Sequence, residues 1–153
     1  MNFFNSKTVS LIIPILLVVL FYLIKSIYNS IQQRRAEELF GNYHKDRIIY
    51  FSKKVNFFGL SSTGLTQIRG NGSLLLTAEE IHFLKWLPKS ELIIPLTNIE
   101  SIERVNSFLG KKRGKNKELL KIDFFNQQGE LDSAALLLDN LSVWEEVLQA
   151  SLK

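Results

Sequence analysis

Ser73-Leu-Leu-Leu-Thr77, Ile81-His-Phe-Leu-Lys-Trp86 and Glu91-Leu-Ile-Ile-Pro-Leu96 are three short apolar runs joined by Ala78-Glu79-Glu80 and by Pro88-Lys89-Ser90. Each run is too short for a stable helix and is bounded by turn residues, so the spacing predicts three antiparallel strands in a meander. Pro95 has no amide hydrogen to give to a ladder, which places its strand at a sheet edge or at a bulge. Downstream, Ile99 to Val105 reads as a further strand, and Leu119 to Phe125 alternates Leu120, Ile122 and Phe124 against Leu119, Lys121 and Asp123. Asn126-Gln-Gln-Gly129 makes a turn and Leu131 to Leu138 the last strand. Upstream, Ile48 to Phe51 and Val55 to Phe58 read as one or two opening strands, followed by a Gly-, Ser- and Thr-rich stretch from Gly59 to Gly72.

The period then changes. Trp144, Val147, Leu148 and Leu152 fall on one face of a helix, and Ser142 with Glu145 has the spacing of a capping box. Trp144 is expected in the core, and Trp86, at the end of its strand, is also expected to pack. About seven antiparallel strands closed by one amphipathic helix make an α+β domain, with the helix covering a curved sheet or plugging a barrel.

The N-terminus is different. Thirteen Val, Leu, Ile and Phe residues lie between Val9 and Ile24, and at about −0.4 kcal/mol each they favour membrane insertion by about 5 kcal/mol. Lys7 and Lys25 bracket 17 uncharged residues, about 26 Å of helix against a hydrocarbon core of about 30 Å. No small-residue cleavage pattern follows in Lys25-Ser-Ile-Tyr-Asn-Ser30, so an uncleaved anchor is expected rather than a signal peptide. Lys25, Arg34 and Arg35 outnumber Lys7 across the span, which predicts a single-pass plasma-membrane protein with its C-terminal domain in the cytoplasm. The expected organisation is an anchor over 1–28, a helical, solvated juxtamembrane stalk over 29–42 ending at Gly41-Asn42, and a domain over 43–153.

The formal charge of +4 is concentrated. Lys111, Lys112, Arg113, Lys115 and Lys117 form one basic loop with no acid, whereas the other basic residues from Gly41 onward number ten against thirteen acids. The loop is the candidate anionic-surface site, each Lys or Arg being worth about 1 kcal/mol near anionic lipid; a solvated connection that protects a sheet edge is the competing reading. Nucleic acid is disfavoured because Phe108 is the only aromatic beside the loop.

The chain has no cysteine, which excludes disulfides, thiolate metal sites and cysteine nucleophiles. His44 and His82 have no metal-spaced partner and read as a linker residue and a hydrogen-bonded strand residue. Gly59-Leu-Ser-Ser-Thr-Gly64-Leu65-Thr66 has the glycine spacing of a phosphate loop but Leu65 where the lysine is needed. No nucleophile, base and orienting group converge, so no enzyme activity, cofactor or metal is expected.

Gly70-Asn-Gly-Ser-Leu-Leu-Leu-Thr77, Ile81 to Pro88, Leu92-Ile-Ile-Pro-Leu96, Ile99, Leu109-Gly-Lys-Lys112, Leu119 to Phe124, Asp132-Ser-Ala-Ala135 and Trp144 carry a resemblance to the pleckstrin-homology-like superfold. Its bacterial membrane-tethered and GRAM-type members are the nearest in pattern. The resemblance implies about seven antiparallel strands in two bent sheets, capped by a C-terminal helix. Phosphoinositide-binding members place basic residues between their first two strands. If those strands are Ser73 to Thr77 and Ile81 to Trp86, the loop is the acidic Ala78-Glu79-Glu80, unsuited to a headgroup. The leading expectation is therefore docking of a protein or peptide partner at the inner membrane face, with anionic-lipid sensing through residues 110–117 as the alternative.

Overall fold

The computed structural model describes residues 6–112, 114 and 117–153. Helix α1 runs unbroken over Ser6–Gly41, then a short 3-10 turn leads into seven strands: β1 (Ile48–Leu60), β2 (Gly70–Thr77), β3 (Glu80–Lys85), β4 (Ser90–Pro95), β5 (Ile99–Val105), β6 (Leu119–Phe125) and β7 (Leu131–Leu137). Helix α2 (Leu141–Ser151) closes the chain. All pairings are antiparallel, in the order β4-β3-β2-β1-β7-β6-β5. The fold is α+β, a bent sheet rolled towards a barrel, as the strand pattern predicted. Pro95 ends β4, an edge strand, where its missing donor costs no ladder bond.

The two apolar runs upstream form one strand. β1 pairs with β2 through Phe57 and with β7 from Asn56 onward, so it belongs to both halves of the bent sheet. Gly59 makes the bend: its φ is +130°, and a Cβ there would lie 2.3 Å from the Gln67 side chain. Because β1 is the first strand, the loop between the first two strands is 61–69 and not Ala78-Glu79-Glu80. That loop contains no acid and one basic residue, Arg69.

The core explains the leucine run in β2. Leu74 and Leu76 point inward with Ile81, Phe83, Ile122, Phe124 and Trp144, whereas Leu75 points outward and is buried with Leu84 and Leu39. A strand covered on both faces reads as continuous apolar sequence rather than as alternation. On the other half, Phe58, Leu119 and Ala135 face outward and are covered by Phe108. That phenylalanine sits beside a two-residue turn, Leu109-Gly110, both at positive φ, with reciprocal Phe108–Lys111 backbone bonds of 3.0 and 2.9 Å.

Trp144 is fully buried, packs edge-on against Tyr50 at 4.9 Å and donates from Nε1 to Ser52 Oγ at 2.8 Å. The expected capping box does not form. α2 starts at Leu141, placing Ser142 and Glu145 inside the helix, where both bind the Arg104 guanidinium. Leu152 ends the helix partly exposed, so the buried stripe stops at Leu148.

The largest departure from expectation is the stalk. Ile12 to Ile27 of α1 is exposed and apolar apart from Pro14, Tyr22, Lys25 and Ser26, but from Tyr28 onward one face packs on the outer side of β1, β2 and β3. Ala36 and Leu39 are buried, and Tyr28, Ile31, Gln32, Arg35 and Phe40 are half-buried, a spacing of three and four that keeps them on one helical face. Tyr28 lies edge-on to Trp86 at 5.7 Å and Phe40 to Phe51 at 5.6 Å. Asn71 Nδ2 donates to the Tyr28 hydroxyl at 2.6 Å, and Lys89 pairs with Glu38, holding that carboxyl below its usual range together with Arg35. The stalk is solvated on one side only, because the apolar outer surface of β2 and β3 needs a cover.

Candidate functional site

A cleft of about 530 Å³ opens between the free edge of β4 and the turn joining β6 to β7. Leu60, Leu92, Ile93 and Phe125 supply apolar wall, with Ile93 and Phe125 substantially exposed. Asn98, Asn126, Gln127 and Gln128 add amides, and Glu91 and Asp132 are the only charged lining residues. Its size falls in the range of about 300–1,000 Å³ common for ligand sites. Two carboxylates disfavour an anionic headgroup there, whereas amides, apolar wall and an unpaired strand edge suit an extended peptide.

Asp132 is structural. It accepts from Ser61 Oγ at 2.6 Å, Ser62 N at 2.9 Å and Ser62 Oγ at 2.6 Å, fixing the β1–β2 loop against β7. Burial works to raise its carboxyl, but these bonds outweigh it and hold the group below the usual carboxylate range. Gln67 completes the loop by bonding Leu60 and Gly64. The stretch that copied a phosphate loop is thus a turn closed by Ser61, Ser62 and Gln67, with Leu65 exposed.

Among the described residues of the candidate anionic site, Lys111 and Lys112 sit beside the β1–β2 loop and Lys117 lies elsewhere. Lys111 is half-buried, with Nζ donating to Gln67 O at 2.6 Å, and Lys112 is exposed while its carbonyl accepts from Arg69 at 3.2 Å. The Arg69 guanidinium also lies over the Phe58 ring at 4.2 Å. Lys117 is exposed and lines a separate hollow with Arg104 and Glu118 at the start of α2. Arg113 and Lys115 lie outside the described residues. The start of the basic run is therefore pinned against the β1–β2 loop.

His82 is buried on β3 with Nδ1 2.9 Å from the Tyr43 hydroxyl, and Tyr43 also donates to Glu80. Burial pushes the imidazole down, against the opposing pull of Glu91 and Glu80, and Nε2 lies 3.4 Å from Glu91 without a well-directed bond. Burial and the Glu80 carboxylate push the Tyr43 phenol well up. These groups tie the end of α1 to the sheet. His44 is exposed at the 3-10 turn. Reading the sequence as local segments overlooked the docking of Tyr28 and Tyr43 and the cleft walls; for Tyr28, the signal was a helical stripe hidden among Gln, Arg and Glu.

No protein-family model and no curated protein sequence matches the chain. Among solved structures it is similar to the C-terminal domain of an unknown protein from Leishmania infantum, with 13% identity, a TM-score of 0.49, and coverage of 85% of this chain and 99% of that one. It is also similar to a chain in the complex of human RhoA with the DH/PH fragment of PDZRhoGEF, with 14% identity, a TM-score of 0.49 and 69% of this chain covered. A complex of PDZ-RhoGEF DH/PH domains with GTP-gamma-S-activated RhoA gives 12% identity, a TM-score of 0.49 and the same 69% coverage. This chain spans only 28% and 29% of those two chains.

Proposed function

We propose that this chain is a single-pass, membrane-anchored, non-catalytic docking module. The first half of α1 crosses the plasma membrane, the second half holds the β domain at the cytoplasmic face, and the cleft beside β4 receives a protein or peptide segment. The observation that carries this reading is the change of character along one unbroken helix: an exposed apolar stretch from Ile12 to Ile27, then a half packed on the sheet from Tyr28. Apolar side chains exposed from Ile12 to Ile24 have no reason to remain in water when the continuation of their helix is docked. The excess of Lys25, Arg34 and Arg35 over Lys7 supports the cytoplasmic side.

The non-catalytic reading is supported by the use to which the polar side chains are put. Asp132 holds a loop and His82 holds a helix end, and each is largely engaged by its own fold. Anionic-lipid engagement through residues 110–117 remains as a second reading because Lys112 is exposed beside Arg69.

A photo-crosslinking residue at Ile93 in intact cells tests the docking role. A discrete adduct that disappears with Phe125→Arg and persists with Lys112→Gln is expected. Absence of any adduct, or one indifferent to Phe125→Arg, would remove the cleft from the account. A C-terminal reporter active only outside the cytoplasm would overturn the orientation.

A further inference from the structure

We infer that the cleft takes its occupant as an added strand: an extended peptide segment pairs with the free edge of β4 and sets a basic side chain against Glu91. This deepens the docking reading above and rests on it.

The backbone of β4 decides which groups are on offer. Leu96 N donates to Glu79 O at 2.8 Å, and the register with β3 then runs without a shift from Glu80 opposite Pro95 to Lys85 opposite Ser90. Bonded and non-bonded pairs alternate along an antiparallel ladder, so Ser90, Leu92 and Ile94 turn their backbone polar groups to β3. Glu91, Ile93 and Pro95 turn theirs away, and all three line the cleft. Pro95 has no amide hydrogen, which leaves the Glu91 and Ile93 amides as donors and the carbonyls of all three residues as acceptors. An extended segment of about five residues spans that row.

The other free edge of the sheet, β5, is built differently. It exposes Glu100, Glu103 and Arg104 and is broken by a register shift between Ile99 and Ser101, both of which keep an edge from pairing with another chain. On β4 the proline comes only at the last position, Ile93 is exposed at mid-strand, and Phe125 stands exposed across the cleft.

Charge names the occupant. Among the described residues no Lys or Arg lines the cleft, and its two carboxylates differ in what already holds them. Asp132 accepts from Ser61, Ser62 and Ser133 and is buried. The Glu91 side chain is 42% exposed; Lys89, 3.8 Å away, is paired with Glu38, and His82 Nε2 stands 3.4 Å off without a directed bond. Residues directly opposite each other across a ladder share a face. The peptide residue facing Glu91 is therefore basic, and the one facing Ile93, two positions along, is aliphatic or aromatic. The residue between them turns to the side of Leu92.

A phage-displayed library of random heptapeptides, panned against the full-length protein in phosphatidylcholine nanodiscs after removal of phage that bind empty nanodiscs, supplies the probes. Recovered peptides would be synthesised with a fluorescein label and titrated by anisotropy. The expected consensus has Lys or Arg two positions from an aliphatic or aromatic residue. Ile93→Pro removes an outward amide hydrogen and no bond to β3, and should weaken binding about tenfold or more. Replacing the peptide's basic residue by Gln should weaken binding severalfold to the wild type and leave binding to Glu91→Gln unchanged. N-methylation of the peptide, which needs no variant of the protein, should abolish binding at alternate amides and spare it at those between. Peptides lost with Phe125→Arg but indifferent to Ile93→Pro and to N-methylation would overturn strand addition and leave docking in the cleft standing. Binders indifferent to Phe125→Arg as well would overturn both. A consensus without a basic residue, or a library that yields no binder, would overturn the inference.

Discussion

Leu39→Ala probes whether α1 is part of the folded unit. Leu39 is fully buried between Leu75 and Leu84, with Tyr43, Ile48 and Phe51 around it. The substitution removes three carbon groups at about 0.8 kcal/mol each and leaves a cavity, giving about 3 kcal/mol. Against a total stability of about 5–15 kcal/mol for a domain, that is a large fraction. Ile12 to Ile27 are exposed, so the measurement can use the chain from Ser26 onward, unfolded in urea and followed by far-ultraviolet circular dichroism. With a urea slope of about 1–3 kcal/mol per molar, the midpoint should fall by about 1–3 M. Gln33→Ala, on the exposed face, should change stability by less than about 0.5 kcal/mol. Equal effects of the two substitutions would mean that the helix is not docked. The same reasoning predicts that a chain starting at Tyr43 exposes Leu75, Leu84 and Trp86 and aggregates.

Three further outcomes follow from the packing. Trp144→Ala should cost about 3–5 kcal/mol and Trp144→Phe distinctly less, measured in the same urea assay; a change near zero would show that α2 does not close the core through this ring. Burial lowers the His82 imidazole below its unfolded value of about 6.5, so the unfolded chain binds the proton first. Its contribution is complete above about pH 6.5 and is lost as the pH falls below that, and His82→Gln should flatten this part of a melting-temperature profile; stability that rises on acidification would contradict the assignment. Gly59→Ala should destabilise by at least about 1–3 kcal/mol, because φ is +130° and the Gln67 amide occupies the Cβ position; a neutral result in thermal unfolding would refute the bend.

Where the sequence was legible, one physical signal dominated. The alternation in Leu119–Phe125 and the bounded run Ile99–Val105 match β6 and β5 residue for residue, because Leu120, Ile122 and Phe124 all face the core. The opening strand was harder, because Ser52-Lys53-Lys54 interrupts the apolar run where β1 shifts register against β2, and a shift looks like a turn when read locally. That misplaced the first loop of the domain. The stripe from Tyr28 to Leu39 was masked by Gln33, Arg34 and Glu37 on the opposite face, and its significance depends on Leu75 and Leu84, nearly forty residues away or more. The apparent capping box failed because α2 begins one residue before Ser142, and Arg104, from a distant strand, recruits both members. The cleft was not legible at all: Leu60, Ile93 and Phe125 meet only through the rolled sheet.

The central claim is that one helix both anchors the chain in a membrane and clamps the domain, and the pairing of Glu38 with Lys89 reports on both at once. Glu38→Cys with Lys89→Cys would be treated with a short bis-maleimide in isolated membranes that have been washed with alkaline carbonate. The account predicts that the chain stays in the membrane pellet and forms an intramolecular crosslink efficiently, while Glu37→Cys with Lys89→Cys reacts poorly because residue 37 faces solvent. Release of the chain into the carbonate wash, or equal crosslinking by the two pairs, would contradict it.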